Sequence, residues 1–362
     1  MKIGILTFHY GYNFGGVLQA YATQQVLKGL GYDDVQIINC IANPISFATV
    51  GIPRQIDSMF FHKLWKRFRY GRQGMKPFLK FRQQYLNETP TICFKDIYEK
   101  TKSFDAIIVG SDQVWNVNSQ KEGLYFFEWK GVFRGKKIAY APCCGKNIVY
   151  DKKRQQTANA LKAFDSLSVR NRETQSFVKS LTGIEPPIVP DPTCLYDLQE
   201  MVSKERPVDQ PYIFVYQLGK DIQGGNAEAI NLLKKKYPNR RIISSIIAHA
   251  NPMDAPWADE IRYNLSPIDW INMIAHADMV FTDSFHGTLL SMRFKRPFIT
   301  YLSEKERMAR FVELKQQFGI EDNIVLSLDE ISNFNPTSHS FDSIFESMKE
   351  EGVNYLKNAL QV

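Results

Sequence analysis

Lys2-Ile3-Gly4-Ile5-Leu6-Thr7 is a short β-rich run, His9-Tyr10-Gly11-Tyr12-Asn13-Phe14-Gly15-Gly16 is a turn-rich loop, and Val17 to Leu30 follows as a good helix. Gly31 stops that helix, and Val35-Gln36-Ile37-Ile38 reads as the next strand. This β-loop-α-β order is the unit from which doubly wound parallel sheets are built. Further along, Phe104 to Val109 is a buried-strand run ending at Gly110-Ser111-Asp112, and Lys137 to Ala141 is another ending at Pro142. Helix patterns cover Gln155 to Phe164 and Glu173 to Ser180, with a short strand at Leu167-Ser168-Val169 between them. Ser203 to Pro211 has the composition of a linker, and the alternation then restarts. Tyr212 to Tyr216, Arg241 to Ile247 and Met279-Val280-Phe281 read as strands. Asn226 to Lys236, Pro267 to His276 (with Ser266 as N-cap) and His286 to Phe294 read as helices. Phe341 to Leu360 is a last helix that would pack back across both halves. The expected organisation is an α/β chain with an N-terminal domain at 1–205, a C-terminal domain at 206–335 and a C-terminal helix at 336–362. Two such halves imply a cleft, and ligands in these folds sit at the carboxyl ends of strands, where helix starts point.

Composition narrows the function. With 23% charged and 13% aromatic residues in 362, the chain has the makings of packed cores rather than disorder. No apolar run approaches the roughly 18 residues that span a bilayer, and Met1-Lys2 leads directly into a strand pattern, so neither a signal peptide nor a transmembrane helix is expected. The five cysteines are odd in number, include the adjacent Cys143-Cys144 and show no CxxC spacing, which speaks against zinc sites and a disulfide framework. A reduced, cytoplasmic protein is expected. Its net charge of +7 is concentrated: between Arg54 and Arg82 nine basic residues face a single acid, Asp57. Within this segment Phe60, Phe61, Leu64, Trp65 and Phe68 recur at helical spacing, with Lys63, Lys66, Arg67 and Arg69 on the other face. Such a helix suits an anionic membrane surface, and it also suits an ordinary helix packed on the body of the protein. No second basic patch or aromatic stacking motif points to nucleic acid.

Four polar loops follow strand patterns. In the first, Asn13 and the glycines Gly15 and Gly16 would let backbone amides approach a ligand ahead of a helix; a tight strand-helix turn explains them equally. The second, Gly110 to Asn116, presents Asp112, Gln113 and Asn116 together, as hydroxyl-rich ligands require, unless Ser111 or Asp112 caps a helix. The third carries Arg170 and Arg172, suited to an anion with planar or tetrahedral oxygens or to a salt bridge with Glu173. The fourth, Thr282-Asp283-Ser284-Phe285-His286-Gly287-Thr288, ends a strand in Asp, Ser and His as a helix begins. Helix starts favour bound anions, and histidine is the side chain whose proton moves nearest neutral pH, so His286 reads as a general acid or base. Without a GxSxG elbow, the Ser284/His286 pair does not read as a serine hydrolase. No GxGxxG or GxxxxGK[ST] supports a nucleotide site.

Taken together, the loops resemble the polysaccharide pyruvyl transferase family. The resemblance rests on Asn13-Phe14-Gly15-Gly16-Val17-Leu18-Gln19-Ala20-Tyr21, Gly110-Ser111-Asp112-Gln113-Val114-Trp115-Asn116, Ser168-Val169-Arg170, Asp191-Pro192-Thr193 and Thr282 to Thr288. A later segment, Arg310-Phe311 to Gly319-Ile320-Glu321-Asp322, is similar as well, and the matches run in order over about residues 1–325. Two positions depart from the pattern. Cys143-Cys144 stands where small serine-like residues are common, and Asn323 stands where an arginine is frequent.

The resemblance implies two Rossmann-like domains facing a cleft in a GT-B-like arrangement. It also implies phosphoenolpyruvate as donor substrate and a sugar hydroxyl pair as acceptor, giving a pyruvate ketal on a glycan. No metal-ligand cluster is evident in the sequence, and neither a metal nor a cofactor is assigned. On that reading Arg170, Ser284, Arg310, Gly287 and Arg172 bind the donor, with Arg293 a further candidate. His286 is the general acid, and Asp112 or Asp283 the base. Asn13, Gly15, Gly16, Gln113 and Asn116 hold the acceptor. Acceptors of this kind are often lipid-linked saccharides, which would give segment 54–82 a place at the inner face of a plasma membrane. Two other readings share the architecture: a GT-B glycosyltransferase using a nucleotide sugar, and a non-catalytic glycan-assembly protein. The grouping of Asp, His and Arg at strand ends favours an enzyme.

Overall fold

The apolar runs become parallel strands because they are apolar on both faces: Ile3–Leu6, Ala106–Val109 and Tyr212–Tyr216 are buried at every position. The computed structural model describes residues 1–41, 75–116, 123–145, 151–218, 222–245, 255–302, 311–334 and 340–361. The hydrophobic part of the basic segment, Phe60 to Phe68, and Arg310 lie outside these residues. The described end of that segment belongs to a helix over 75–85.

In the first half the strands are β1 (Ile3–Leu6), β2 (Val35–Ile37), β3 (Cys40–Ile41), β4 (Ile92–Cys93), β5 (Ala106–Val109), β6 (Lys136–Ala139) and β7 (Ser166–Leu167). Five form a parallel sheet in the order β2-β1-β5-β6-β7, and β3 pairs with β4 apart from it. The register sets Ile3 against Val35 on one side and Ala106 on the other. The second half carries β8 (Tyr212–Tyr216), β9 (Arg241–Ser245), β10 (Glu260–Arg262), β11 (Met279–Thr282), β12 (Phe298–Tyr301) and β13 (Ile324–Val325), in the parallel order β10-β9-β8-β11-β12-β13. The two- and three-residue strands β3, β4, β10 and β13 escape a reading by pattern, because so few positions cannot display a period.

Strand order reverses direction at two places, between β1 and β5 in one sheet and between β8 and β11 in the other. Loops at such switch points diverge from each other and open a crevice beyond the carboxyl ends of the strands. Helices start close to where their patterns begin. Ser266 and Asp269 form a complete capping box on the helix Pro267–Ala275. The first helix, Phe14–Gly29, begins three residues earlier than its pattern suggests, because Asn13 caps it by accepting from the Gly16 amide at 3.3 Å.

Three contacts lock the halves together. Phe14 of the first helix stacks face to face on Trp270 of the second half, with centroids 5.1 Å apart, and meets Tyr216 edge-on. Asn272 holds the connecting stretch, accepting from the Ser203 amide and donating to Met201 O. The last helix, Asp342–Leu360, spans both halves: Tyr355 donates to Ala139 O at 2.9 Å, while Arg293 lies 3.6 Å over the Phe345 ring. Gly352 permits this seating, since a Cβ there would lie 2.5 Å from the Tyr140 hydroxyl and 2.7 Å from Leu195. The Tyr140 hydroxyl is itself fixed to Pro190 O, so it has little room to give.

Gly352→Ala is therefore expected to destabilise the fold by about 1 kcal/mol or more, overpacking outweighing the gain in helix propensity. Urea unfolding measures this; an unchanged or raised midpoint would mean the last helix is not seated so closely.

Candidate active site

The switch-point loops carry the side chains singled out by the sequence. After β1 come Thr7 to Asn13, after β5 come Gly110 to Asn116, and after β11 come Asp283 to His286. Arg170 stands just beyond β7, where Val169 bridges to Ile188. Packing the halves brings these ends together, and the point on which they converge is Asp191.

Asp191 is buried, and its carboxylate is well supplied. Oδ1 accepts from the Thr193 amide at 3.1 Å and the Thr193 hydroxyl at 2.8 Å; Oδ2 accepts from Ser111 Oγ at 3.0 Å and Arg170 Nη1 at 2.9 Å. His286 Nε2 approaches Oδ1 at 3.5 Å, an ion-pair distance at which no well-directed hydrogen bond forms. Burial alone would push the Asp191 carboxyl up; the His286 charge beside it, then Arg170 and the Thr193 amide, override that and hold it well below the usual carboxylate range. Arg170 and Asp191 come from the first half, His286 from the second.

Gly15 makes that approach possible. It lies in the first turn of Phe14–Gly29, and a Cβ on it would sit 2.1 Å from His286 Nδ1. Two helix starts, that of Phe14–Gly29 and that of Phe285–Arg293, thus meet across the halves. Each presents a partial positive charge, so the place where they meet favours an anion. On the same helix turn as His286, the Phe285 ring packs against the Arg170 guanidinium at 4.9 Å.

The second loop is built around Asp112. Its φ of +69° is left-handed, a conformation that Asp tolerates better than most residues. The Asp112 carbonyl accepts from the Val114 and Cys143 amides. Gln19, fully buried, ties this loop to the first one: its amide group donates to Thr7 Oγ1, Phe8 O and Gly16 O, and its carbonyl accepts from the Ser111 amide at 3.1 Å. The Asp112 side chain is held less firmly, 3.4 Å from Arg170 Nη2. It also borders a pocket of about 220 Å³ lined by Phe8, His9, Tyr10, Asn13 and Gly16 among others. His9 is buried there; burial chiefly, against an opposing pull from Glu88 at 3.8 Å, pulls its pKa below the ordinary histidine value. Glu88 in turn takes a two-pronged bond from Arg82, which anchors the end of the basic segment to the first half.

The remaining expectations divide. Ser284 and Gly287 build the start of the helix, Ser284 Oγ accepting from the Gly287 amide at 3.2 Å. Asp283 Oδ1 accepts from the Leu218 amide at 2.5 Å, so the carboxylate fastens the loop after β8. The Arg293 guanidinium donates to Cys194 O at 2.6 Å and packs on Phe345, joining three elements. The Arg172 side chain is exposed, and its amide donates to Glu313 of the second half. Asn116 packs against Gly145, and Gln113 is half-buried in the same loop. Cys143 backs the Asp112 loop through its own backbone, and Cys144, its thiol pushed up by burial to about 12, packs with Thr174. Asn323 donates to Phe298 O, holding the β12 end. Asp191, Gln19 and Phe285 are the site residues to which the sequence assigned no role; all three stood inside quoted motifs, but only their partners across the fold reveal their parts.

A family model described as polysaccharide pyruvyl transferase matches residues 13–304. Among solved structures, the UDP-GlcNAc 2-epimerase of Methanocaldococcus jannaschii aligns with 99% of this chain and 99% of its own, at a TM-score of 0.54 and 12% identity. The UDP-GlcNAc 2-epimerase of Neisseria meningitidis, bound to UDP-GlcNAc, aligns with 99% of each chain, at 0.52 and 10%. Likeness at such identities shows the fold alone: two Rossmann-like α/β domains facing a cleft, the GT-B-like arrangement. No curated protein sequence matches the chain.

Asp191→Asn is expected to cost about 3–5 kcal/mol at pH 7, because Arg170 loses its buried counter-charge. Since the folded carboxyl is held low, its contribution is complete above the ordinary carboxylate range and fades as pH falls towards the folded value. The gap between wild type and variant in urea unfolding should therefore be larger at pH 7 than at pH 3; an equal gap would refute the ionised network.

Proposed function

The chain belongs to the polysaccharide pyruvyl transferase family, and from that premise we propose that it moves the pyruvyl group of phosphoenolpyruvate onto two hydroxyls of a sugar. The observation that carries this reading is the Arg170–Asp191–His286 constellation, assembled across the two halves where two helix starts meet. The donor is an enol phosphate bearing a carboxylate, so it calls for a cation, helix-start amides and an acid placed near carbon. Arg170 and the first turn of Phe285–Arg293 supply the first two, and His286 supplies the third. Arg310, outside the described residues, would add a second cation.

In the proposed reaction His286 protonates the donor methylene carbon, making it a methyl group, as a sugar oxygen bonds to the neighbouring carbon. The bond to phosphate then breaks and the second hydroxyl closes the ketal. Of the two hydroxyl protons, one accounts for the methyl group and the other leaves with phosphate. Asp112, bordering the pocket beside Asn13 and Gly16, takes the first proton, a role Asp283 is too firmly bonded to fill. The acceptor lies along Asn13, Gln113 and Asn116.

The acceptor we favour is a lipid-linked saccharide. No helix of the described residues is long and apolar enough to cross a membrane, and the basic segment with its Phe60–Phe68 stripe offers a way to lie on an anionic one. Replacing Lys63, Lys66, Arg67 and Arg69 with Gln should release the protein from acidic liposomes; undiminished co-sedimentation would leave that segment as a packed helix.

Thermal melting with millimolar phosphoenolpyruvate, beside uridine-diphosphate sugars and plain phosphate, tests the donor. Saturation at 100 times the dissociation constant is worth about 2.7 kcal/mol, a shift of a few degrees. Arg170→Ala should abolish that shift, while His286→Ala should keep it and lower turnover by roughly 10²-fold or more. A shift with nucleotide sugars alone would instead make the protein a glycosyltransferase.

A further inference from the structure

Arg170 offers two sides of its guanidinium to two carboxylates, and the two contacts differ. Nη1 meets Asp191 at 2.9 Å, a side chain with no exposure, while Nη2 meets Asp112 at 3.4 Å, a side chain 18% exposed. The first is a charge-assisted hydrogen bond inside a closed network; the second is a longer hydrogen bond, from a carboxylate that is less enclosed. Asp112 also reaches in two directions, since it borders the pocket formed by His9, Asn13 and Gly16. Its backbone is pinned by the Val114 and Cys143 amides, so its side chain can turn while the loop stays in place.

We propose that Asp112 and the donor anion compete for the Nη2 side of Arg170, so that donor binding turns Asp112 towards the pocket, where it accepts the proton of a sugar hydroxyl. This rests on the donor reading above and goes further than it, because it makes one carboxylate the link between the two substrates. A carboxylate or phosphate of the donor forms a two-pronged bond with a guanidinium, which a 3.4 Å contact cannot match. Asp112 then loses its cation, and a hydroxyl in the pocket finds an acceptor that Arg170 had occupied. The proton passes from the sugar oxygen to the Asp112 carboxylate as that oxygen bonds to the donor carbon. Donor binds first and acceptor second, as a consequence of which group holds Arg170.

The sign of one mutation separates this from a plain base. Asp112→Asn keeps the shape, tolerates the left-handed backbone and removes the competing charge. By isothermal titration with phosphoenolpyruvate, it should bind the donor at least about threefold tighter than wild type, while turnover falls by roughly 10²-fold or more. Initial rates of the wild type should fit an ordered scheme with the donor first. Should the Asn variant fold poorly, Asp112→Gly suits the same φ and should show the same tightening. Equal or weaker donor affinity in the folded variant would overturn the proposal while leaving the donor reading intact. Absence of any wild-type binding of phosphoenolpyruvate would overturn the donor reading, and this proposal with it.

Discussion

The pairing of Arg170 with Asp191 in the interior is the constraint to which the rest of the structure answers. A buried charge without a partner costs several kcal/mol, and a buried pair is tolerable only when its remaining hydrogen-bonding capacity is also filled. Ser111 and both polar groups of Thr193 fill that of Asp191. Asp112 stands at the other side of Arg170, and the Phe285 ring covers one face of the guanidinium. Since Phe285 and His286 belong to the other half, the pair is completed only by packing the two halves together. The groups thus held in a water-poor place need little rearrangement to act on a ligand, which is where preorganised charges are most effective.

What brings the halves so close is a set of steric permissions. Gly15 leaves room for the His286 ring, and Gly352 leaves room for Tyr140 and Leu195 against the last helix. Apolar contact supplies the attraction: the Phe14–Trp270 stack buries two large rings at the junction, and a fully buried Phe side chain contributes about 1.5–3 kcal/mol. The geometry also carries an electrostatic consequence. Two helix starts converge at Gly15 and His286, and their partial positive charges lie beside the Arg170–Asp191 pair.

Much of this is legible before folding. Ile3–Leu6 and Ala106–Val109 announce parallel strands because a strand covered on both faces must be apolar throughout, and Ser266 announces a helix start because a hydroxyl there satisfies an amide. Arg170, Asp112 and His286 could be picked out as polar groups at strand ends. Their neighbours show the limit of that reasoning. Asp283 and Arg293 look equally reactive in the sequence, yet each bonds to backbone, at Leu218 and Cys194. A polar loop residue has the same identity whether it faces a substrate or a peptide group, and only its direction tells them apart. Gly15 and Gly16 make the same point, since only Gly15 is required by a neighbouring side chain.

The sequence by itself determined the longer strands and helices, the α/β class and the family, because each of these is written in local composition, spacing and motif. The tertiary structure alone decided that Asp191 and His286 face each other, that Arg170 is shared between two carboxylates, and that Gln19 binds two loops into one wall. Those relations join segments far apart in the chain. They follow from how the two halves pack through Phe14, Trp270 and the last helix, and spacing along a chain carries no information about the angle at which such packing settles.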